Sequence, residues 1–375
     1  MTGKREKTPY RVAITAVGGG VGQSVLRALR LSSLPLRTIG FDVNLWSAGL
    51  YTCSKGYAIP HSSDPSFVDQ LLENLLKEKV KVLIPGSDPE VMIISRARER
   101  FMASGIFPVT GSAKAVHLCR DKLAGYKFFK EHNIPFARTV SASEAADLAD
   151  EVGFPLIVKP VGGSASRGIA IAFNKEQLDE HLQEGNKIVQ EYLIPERWRK
   201  KRPELTRQDV YEGFVILQTD EISIQIVYDH QGNLVGKFTS CNVLRDGVPM
   251  LIDPMAIPQA EAIALKMASL LAERGMVGPC NLQCKMTELG PVFFEMNPRF
   301  TGITAVRAAM GFNEVEAILR RVLLNEPLDE VKKRLKVPDN LVCSRYITEA
   351  VIPRQDLETL KKQGMVEGHA NKTTL

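Results

Sequence analysis

The sequence predicts an α/β chain, with an opening lobe built on parallel strands and a mixed α+β body behind it. Three observations carry this. From Tyr10 the strand VAITAV runs into the glycine turn Gly18-Gly19-Gly20-Val21-Gly22 and then into a helix with Val25, Leu26 and Leu29 on one face. The strand RTIGFD, a helix carrying Phe67, Leu71, Leu72 and Leu75, and the strand VKVLIP continue the alternation, so the opening reads βαβαβα, a Rossmann-like lobe. Further along, the alternation gives way to short apolar strands bounded by turns, among them FPLIVKP, KIVQEYLI, DEISIQIV and VFFEMN.

Composition sets the bounds. The chain has 375 residues, 44% of them hydrophobic and 24% charged, enough to bury a sizeable core and to form two or three compact lobes. Its 48 Lys and Arg against 43 Asp and Glu give a net charge of +5, too small to call for a nucleic-acid partner. The six cysteines form no CxxC pair, and MTGKREKTPY is followed by no apolar leader, which predicts a reducing, cytoplasmic setting. No apolar run reaches the roughly 18 residues that a membrane helix needs.

Taken in order, the first turn offers a dinucleotide reading, since Asp42 stands where a Rossmann fold places its ribose-binding acid. The fingerprint is incomplete, because Gln23 occupies the third glycine position. Asp42, Asp88 and Glu90 are expected beyond the carboxyl ends of the strands, either gripping a cationic or amino substrate or capping helices. Next, Arg120-Asp121-Lys122 opens a helix, and Lys159 ends the strand FPLIVKP as a point charge suited to phosphate. The small-residue loop from Gly162 to Gly168 follows, and its backbone amides could close over phosphates, although it lacks the Lys-Ser/Thr of a Walker A motif.

The densest polar cluster comes late. On a strand of period two, Glu295, Asn297 and Arg299 share one face, while Phe294, Met296 and Pro298 share the other. Upstream, Cys280, Leu282 and Cys284 alternate with Asn281, Gln283 and Lys285, so a hairpin would bring Gln283 beside Glu295 and Asn297. A carboxylate and amide oxygens are hard ligands suited to Mg2+, with Mn2+ as a substitute, and Arg suits a phosphoryl group. Cys280 and Cys284 fall on the apolar face and read as core. Ser344 to Ile352 reads as a final strand.

The phrase NLQ followed by FFEMNPRF resembles the metal-binding hairpin of ATP-grasp ligases, most closely one synthetase unit of the carbamoyl-phosphate synthetase large subunit. The resemblance implies a Rossmann-like pre-ATP-grasp domain over 10–118 and an ATP-grasp domain over 119–352. Within the latter it places a mobile lid at about 154–193; a basic insertion at about 195–219 departs from its pattern, and the composition after 352, rich in Lys, Gln, Gly and Asn, reads as a loosely held tail over 353–375. It further implies ATP held by Lys122 and Lys159, covered by Gly162, Gly163, Ser164, Ser166 and Gly168, with Gln190, Glu191, Tyr192 and Leu193 at the adenine hinge and Glu221 near the ribose. Gln283, Glu295 and Asn297 would bind Mg2+, and Arg299 with Lys159 would act on the transferring phosphoryl group. Asp88, Glu90 and Arg245 are the substrate candidates. The interval from Glu191 to Glu221 is longer than in the synthetase unit, and its extra residues include Arg197, Arg199, Lys200, Lys201, Arg202 and Arg207.

The implied function is an ATP-dependent ligase joining a small carboxylic acid to an amine or thiol through an acyl phosphate, with no membrane partner and with homo-oligomerisation left open. Carboxyphosphate and carbamate chemistry is the alternative within the resemblance. A dinucleotide-binding oxidoreductase or binding protein is the alternative outside it.

Overall fold

The computed structural model describes residues 8–161, 168–183, 185–197, 220–245, 247–346, 348 and 350–369. Its first lobe contains β1 (Tyr10–Ile14), β2 (Leu36–Asp42), β3 (Lys55–Ala58), β4 (Val82–Ile84) and β5 (Phe107–Pro108), paired in parallel in the order β3-β2-β1-β4-β5. The helix Gly20–Arg30 buries Val25, Leu26 and Leu29, the stripe expected of it. Gly18 is required where the turn passes β2, because a Cβ there would stand 2.0 Å from Ser47 Oγ. Its N–H donates to Asp42 Oδ2 at 2.7 Å, and Gln23, the residue that breaks the dinucleotide fingerprint, donates from Nε2 to Gly18 O at 2.7 Å.

A small sheet follows, formed by β6 (Thr139–Ser141), β7 (Leu156–Pro160), β8 (Ala170–Ala172) and β9 (Lys187–Glu191) in the order β6-β9-β7-β8. The body is an antiparallel sheet of β10 (Glu221–Tyr228), β11 (Leu234–Arg245), β12 (Val248–Pro254), β13 (Gly278–Thr287), β14 (Gly290–Asn297) and the short β15 (Cys343–Ser344). Its order is β14-β13-β10-β11-β12-β15. One face is apolar: Ile222, Ile224, Ile226, Cys280, Leu282, Cys284, Phe293 and Met296 pack against Ala264, Met267 and Leu271 of the helix Pro258–Ala272. Each large side chain so buried contributes about 1.5–3 kcal/mol.

Phe293 and Met296 are three apart yet face the same cluster, which simple alternation forbids. A β-bulge resolves this. Gln283 pairs with Glu295 and Cys284 with Phe293, so Phe294 is the extra residue. The expectation that Phe294 would share the core face with Met296 is therefore corrected; its ring lies instead beside Lys159, 5.7 Å from Nζ.

The end of the chain differs from expectation in two ways. The strand expected over Ser344 to Ile352 is confined to Cys343–Ser344. The stretch read as a loose tail over 353–375 folds, through 369, as the helix Arg354–Gln363 and β16 (Met365–Glu367), which pairs antiparallel with β3 at the edge of the first sheet. Gly364 ends that helix at φ 67°, a left-handed position that glycine occupies without strain. One apolar cluster joins Val12, Ile14 and Leu26 of the first lobe to Val227, Phe238, Phe312 and Leu319 of the body, so the core is continuous across residues 118 and 119.

Candidate active site

The polar face of the body sheet lies opposite the apolar one and is set by the same pairing. Ser240, Ser223, Gln283 and Glu295 line up across β11, β10, β13 and β14, and Gln225, Asn281 and Asn297 form the next row. Asn281 Nδ2 donates to Ser223 Oγ at 2.8 Å and to Gln225 Oε1 at 3.1 Å, and Asn297 Nδ2 to Glu295 Oε1 at 3.2 Å. A cavity of about 700 Å³ opens over this face, and it also reaches Lys122, Lys159, Asp88, Glu90 and Arg299.

The cations arrive from three directions. Lys122 is the first residue of the helix Lys122–Glu131, whose cap Asp121 accepts from Leu123 N and Ala124 N. Lys159, fully enclosed at the end of β7, donates to Gln190 Oε1 at 2.7 Å, and burial lowers its ammonium to about 8 while Glu295 pulls the other way. Arg299 makes a fork to Asp88, Nε to Oδ1 at 2.6 Å and Nη2 to Oδ2 at 3.1 Å, and also donates to Asn297 Oδ1 at 3.2 Å. Arg120 adds a second contact to Asp88 at 3.3 Å. Burial alone would raise the Asp88 carboxyl, but Arg299 and Arg120 hold it below its ordinary value. Asp88, expected either to grip a cationic or amino substrate or to cap a helix, is paired instead with Arg299, which it positions.

Gln283 and Glu295 stand together with Glu221 beside them, while Asn297 turns its Nδ2 to Glu295 and its Oδ1 to Arg299, so its oxygen would face a metal only with the amide turned over. Burial, with Glu295 adding repulsion, pushes the Glu221 carboxyl up to about 7, against the opposing pull of Lys285 and of hydrogen bonds from Asn242 and Gln283. Two carboxylates crowded in a buried spot with amide oxygens fit a hard divalent cation such as Mg2+, which keeps part of its shell for waters and phosphate.

Residues 121–331 match the family described as "Carbamoyl-phosphate synthase L chain, ATP binding domain", and residues 13–109 match "PylC-like, N-terminal domain". The chain belongs to the carbamoyl-phosphate synthase L chain ATP-binding family. The ATP-grasp resemblance read from NLQ and FFEMNPRF is accordingly upheld. Among relatives of this ATP-grasp chain, a bifunctional purine biosynthetic protein of Pichia angusta is 29% identical over 176 residues, covering 46% of the chain and 20% of that protein. The carbamoyl phosphate synthase large chain of Methanosarcina barkeri is 24% identical over 284 residues, covering 72% and 25%. The chain thus spans a fifth to a quarter of the length of these relatives.

Solved structures share its fold. The biotin carboxylase domain of Hydrogenobacter thermophilus 2-oxoglutarate carboxylase superposes with a TM-score of 0.64 at 17% identity, covering 88% of this chain and 73% of that one. The N5-carboxyaminoimidazole synthetase of Staphylococcus aureus gives 0.62 at 12% identity, covering 95% and 86%.

Not every expected residue reaches the cavity of this ATP-grasp fold. Gln190 lies behind Lys159, donating to Thr139 Oγ1 at 2.9 Å. Glu191 is half-buried beside Arg138, Tyr192 is buried against Ile157, and neither they nor Leu193 line the cavity. Arg245, expected near substrate, is exposed at the end of β11 past an irregularity at Val243/Leu244, outside the lining. Gly162, Gly163, Ser164 and Ser166 lie outside the described residues, as do 198–219 of the basic insertion; Gly168 is described, at φ 71°. The lining also includes Asn281, which shares the alternation that marked Gln283, and Arg345, which no sequence pattern singled out.

Proposed function

We propose that the chain is an ATP-dependent ligase that activates a small carboxylic acid as an acyl phosphate and transfers the acyl group to an amine. The observation that carries this reading is the convergence of Glu295, Asn297 and Gln283 with Lys122, Lys159 and Arg299 over one cavity. Lys122 and Lys159 would hold the nucleotide phosphates, and Gln283, Glu295, Asn297 and Glu221 would hold Mg2+. The ion, when bound, supplies neutralisation of the charge shared between phosphate oxygens.

A substrate carboxylate oxygen attacks the terminal phosphorus, the bond to the bridging oxygen breaks, and ADP departs. Arg299, fixed by Asp88, faces the charge that develops on the transferred group. The amine nitrogen then attacks the acyl carbon, inorganic phosphate leaves, and the amine proton passes to solvent. Buried Lys159 donates hydrogen bonds to oxygen throughout and needs no covalent step. The biotin carboxylase neighbour was solved with MgADP and bicarbonate, which supports the nucleotide and the class of acid. A small acid such as bicarbonate would take the same path as a carboxyphosphate.

The test is ADP release with panels of carboxylic acids and amines, for the wild type and Glu295→Ala. Removing one of the two carboxylates assigned to the metal should cost about 3 kcal/mol or more of transition-state stabilisation, about a hundredfold in rate, with the far-ultraviolet spectrum unchanged. Near-normal turnover in that variant would refute the metal assignment.

A further inference from the structure

Beyond the polar sheet face, the cavity extends to the carboxyl ends of the first sheet, and its lining as a whole carries side chains of both charges. On one wall stand Asp42 and Glu90, both buried. Asp42 accepts from Gly18 N and Asn44 N, and Glu90 Oε2 accepts from Thr15 Oγ1 and Ser87 Oγ at 2.9 and 2.8 Å. These donors are neutral. Among the described residues neither carboxylate has an ion pair, whereas Asp88, also in the lining, has two.

Arg345, from a segment that follows the family match ending at 331, lines the same cavity. Its N–H donates to Met250 O at 2.9 Å and its Nη1 to Pro249 O at 3.0 Å, which hold the guanidinium against β12. It faces the loop after Arg299, with Nη1 3.9 Å from where a Cβ on Gly302 would stand. Among the described residues it too has no carboxylate partner. Asp42 and Glu90 are buried without a cation, Arg345 is half-buried without a carboxylate, and all three border one space; a buried carboxylate without a counter-charge is costly or takes up a proton.

We propose that this half of the cavity binds an amino acid, with its ammonium group received by Asp42 and Glu90 and its carboxylate held by Arg345. The proposal rests on the ligase reading, for which it names the class of one of the two substrates. Arg345 is suited to the task because its planar fork matches a carboxylate with two parallel hydrogen bonds. Burial pushes the Glu90 carboxyl up to about 7, and an arriving ammonium would restore the ionised form.

The experiment titrates the full-length protein with L- and D-amino acids, the corresponding decarboxylated amines and O-phosphoethanolamine, each with and without MgADP, by calorimetry. At least one amino acid should bind more tightly than its decarboxylated amine. Arg345→Ala should weaken that amino acid about tenfold or more while leaving the amine and MgADP within about twofold, and Arg345→Lys should recover part of the loss. Glu90→Gln should weaken both the amino acid and the amine. A preference for O-phosphoethanolamine over every amino acid would overturn the proposal in favour of a phosphorylated amine. Unchanged amino-acid affinity in Arg345→Ala would overturn it, as would MgADP binding with no amino acid binding at all. Failure of the wild type to bind MgADP would instead remove the ligase reading beneath it.

Discussion

Glu90 is a residue whose environment makes a measurable promise. Desolvation raises its carboxyl from 4.5 to about 7, with Asp42 adding repulsion and the Ser87 and Thr15 hydrogen bonds only partly offsetting the rise. The folded protein therefore holds a proton that the unfolded chain has released, across the window from 4.5 to about 7. Stability linked to this group is full below that window and is lost as pH climbs through it, a loss on the order of 3 kcal/mol. Glu90→Gln keeps a side chain of the same shape and removes the titration. Urea denaturation at pH 5 and pH 8 should show the variant gaining on the wild type at the higher pH, and an equal gap at both would contradict this account of Glu90. At this scale the sequence was most informative where alternation spoke: Asn281, Gln283, Glu295 and Asn297 stand on the face that period two assigned to them. Asp88 was legible as a cavity residue but not as the anchor of Arg299, because an ion pair spanning 211 residues leaves no local pattern.

Among elements, the hairpin of β13 and β14 was legible because its turn and its alternating strands are contiguous. Its bulge was not, since one extra residue changes which of Phe293 and Phe294 enters the core without changing the composition around them. The C-terminal helix and β16 were missed for a different reason. Arg354–Gln363 is mostly polar, and its few apolar residues find their partners on a sheet more than 290 residues earlier. Leu360, which is 1% exposed, and Val366 supply the burial that fixes the segment to the first lobe. Leu360→Ala should lower unfolding stability by about 2–5 kcal/mol, the range for a leucine removed from a packed site. A change within error in a denaturant titration would show that the segment contributes nothing to the fold.

For the whole molecule, the order of the lobes was readable from the change between α/β alternation and antiparallel strands, but their union was not. A shared apolar cluster and the Asp88–Arg299 pair bind the first lobe to the body, so the lobe that resembles a dinucleotide fold supplies a wall of the cavity over the polar sheet. In its glycine turn the Gly18 N–H, a donor that a pyrophosphate would call on, is taken by Asp42, and Gln23 closes onto the Gly18 carbonyl. The central claim is that the cavity takes a nucleoside polyphosphate with Mg2+, and calorimetric titration of the wild type with MgATP, MgADP, NAD and NADP tests it most directly. The account predicts saturable, Mg2+-dependent binding of MgATP and MgADP, lost or much weakened in Lys159→Ala, with no heat from either dinucleotide; saturable binding of NAD or NADP without binding of MgATP would contradict it.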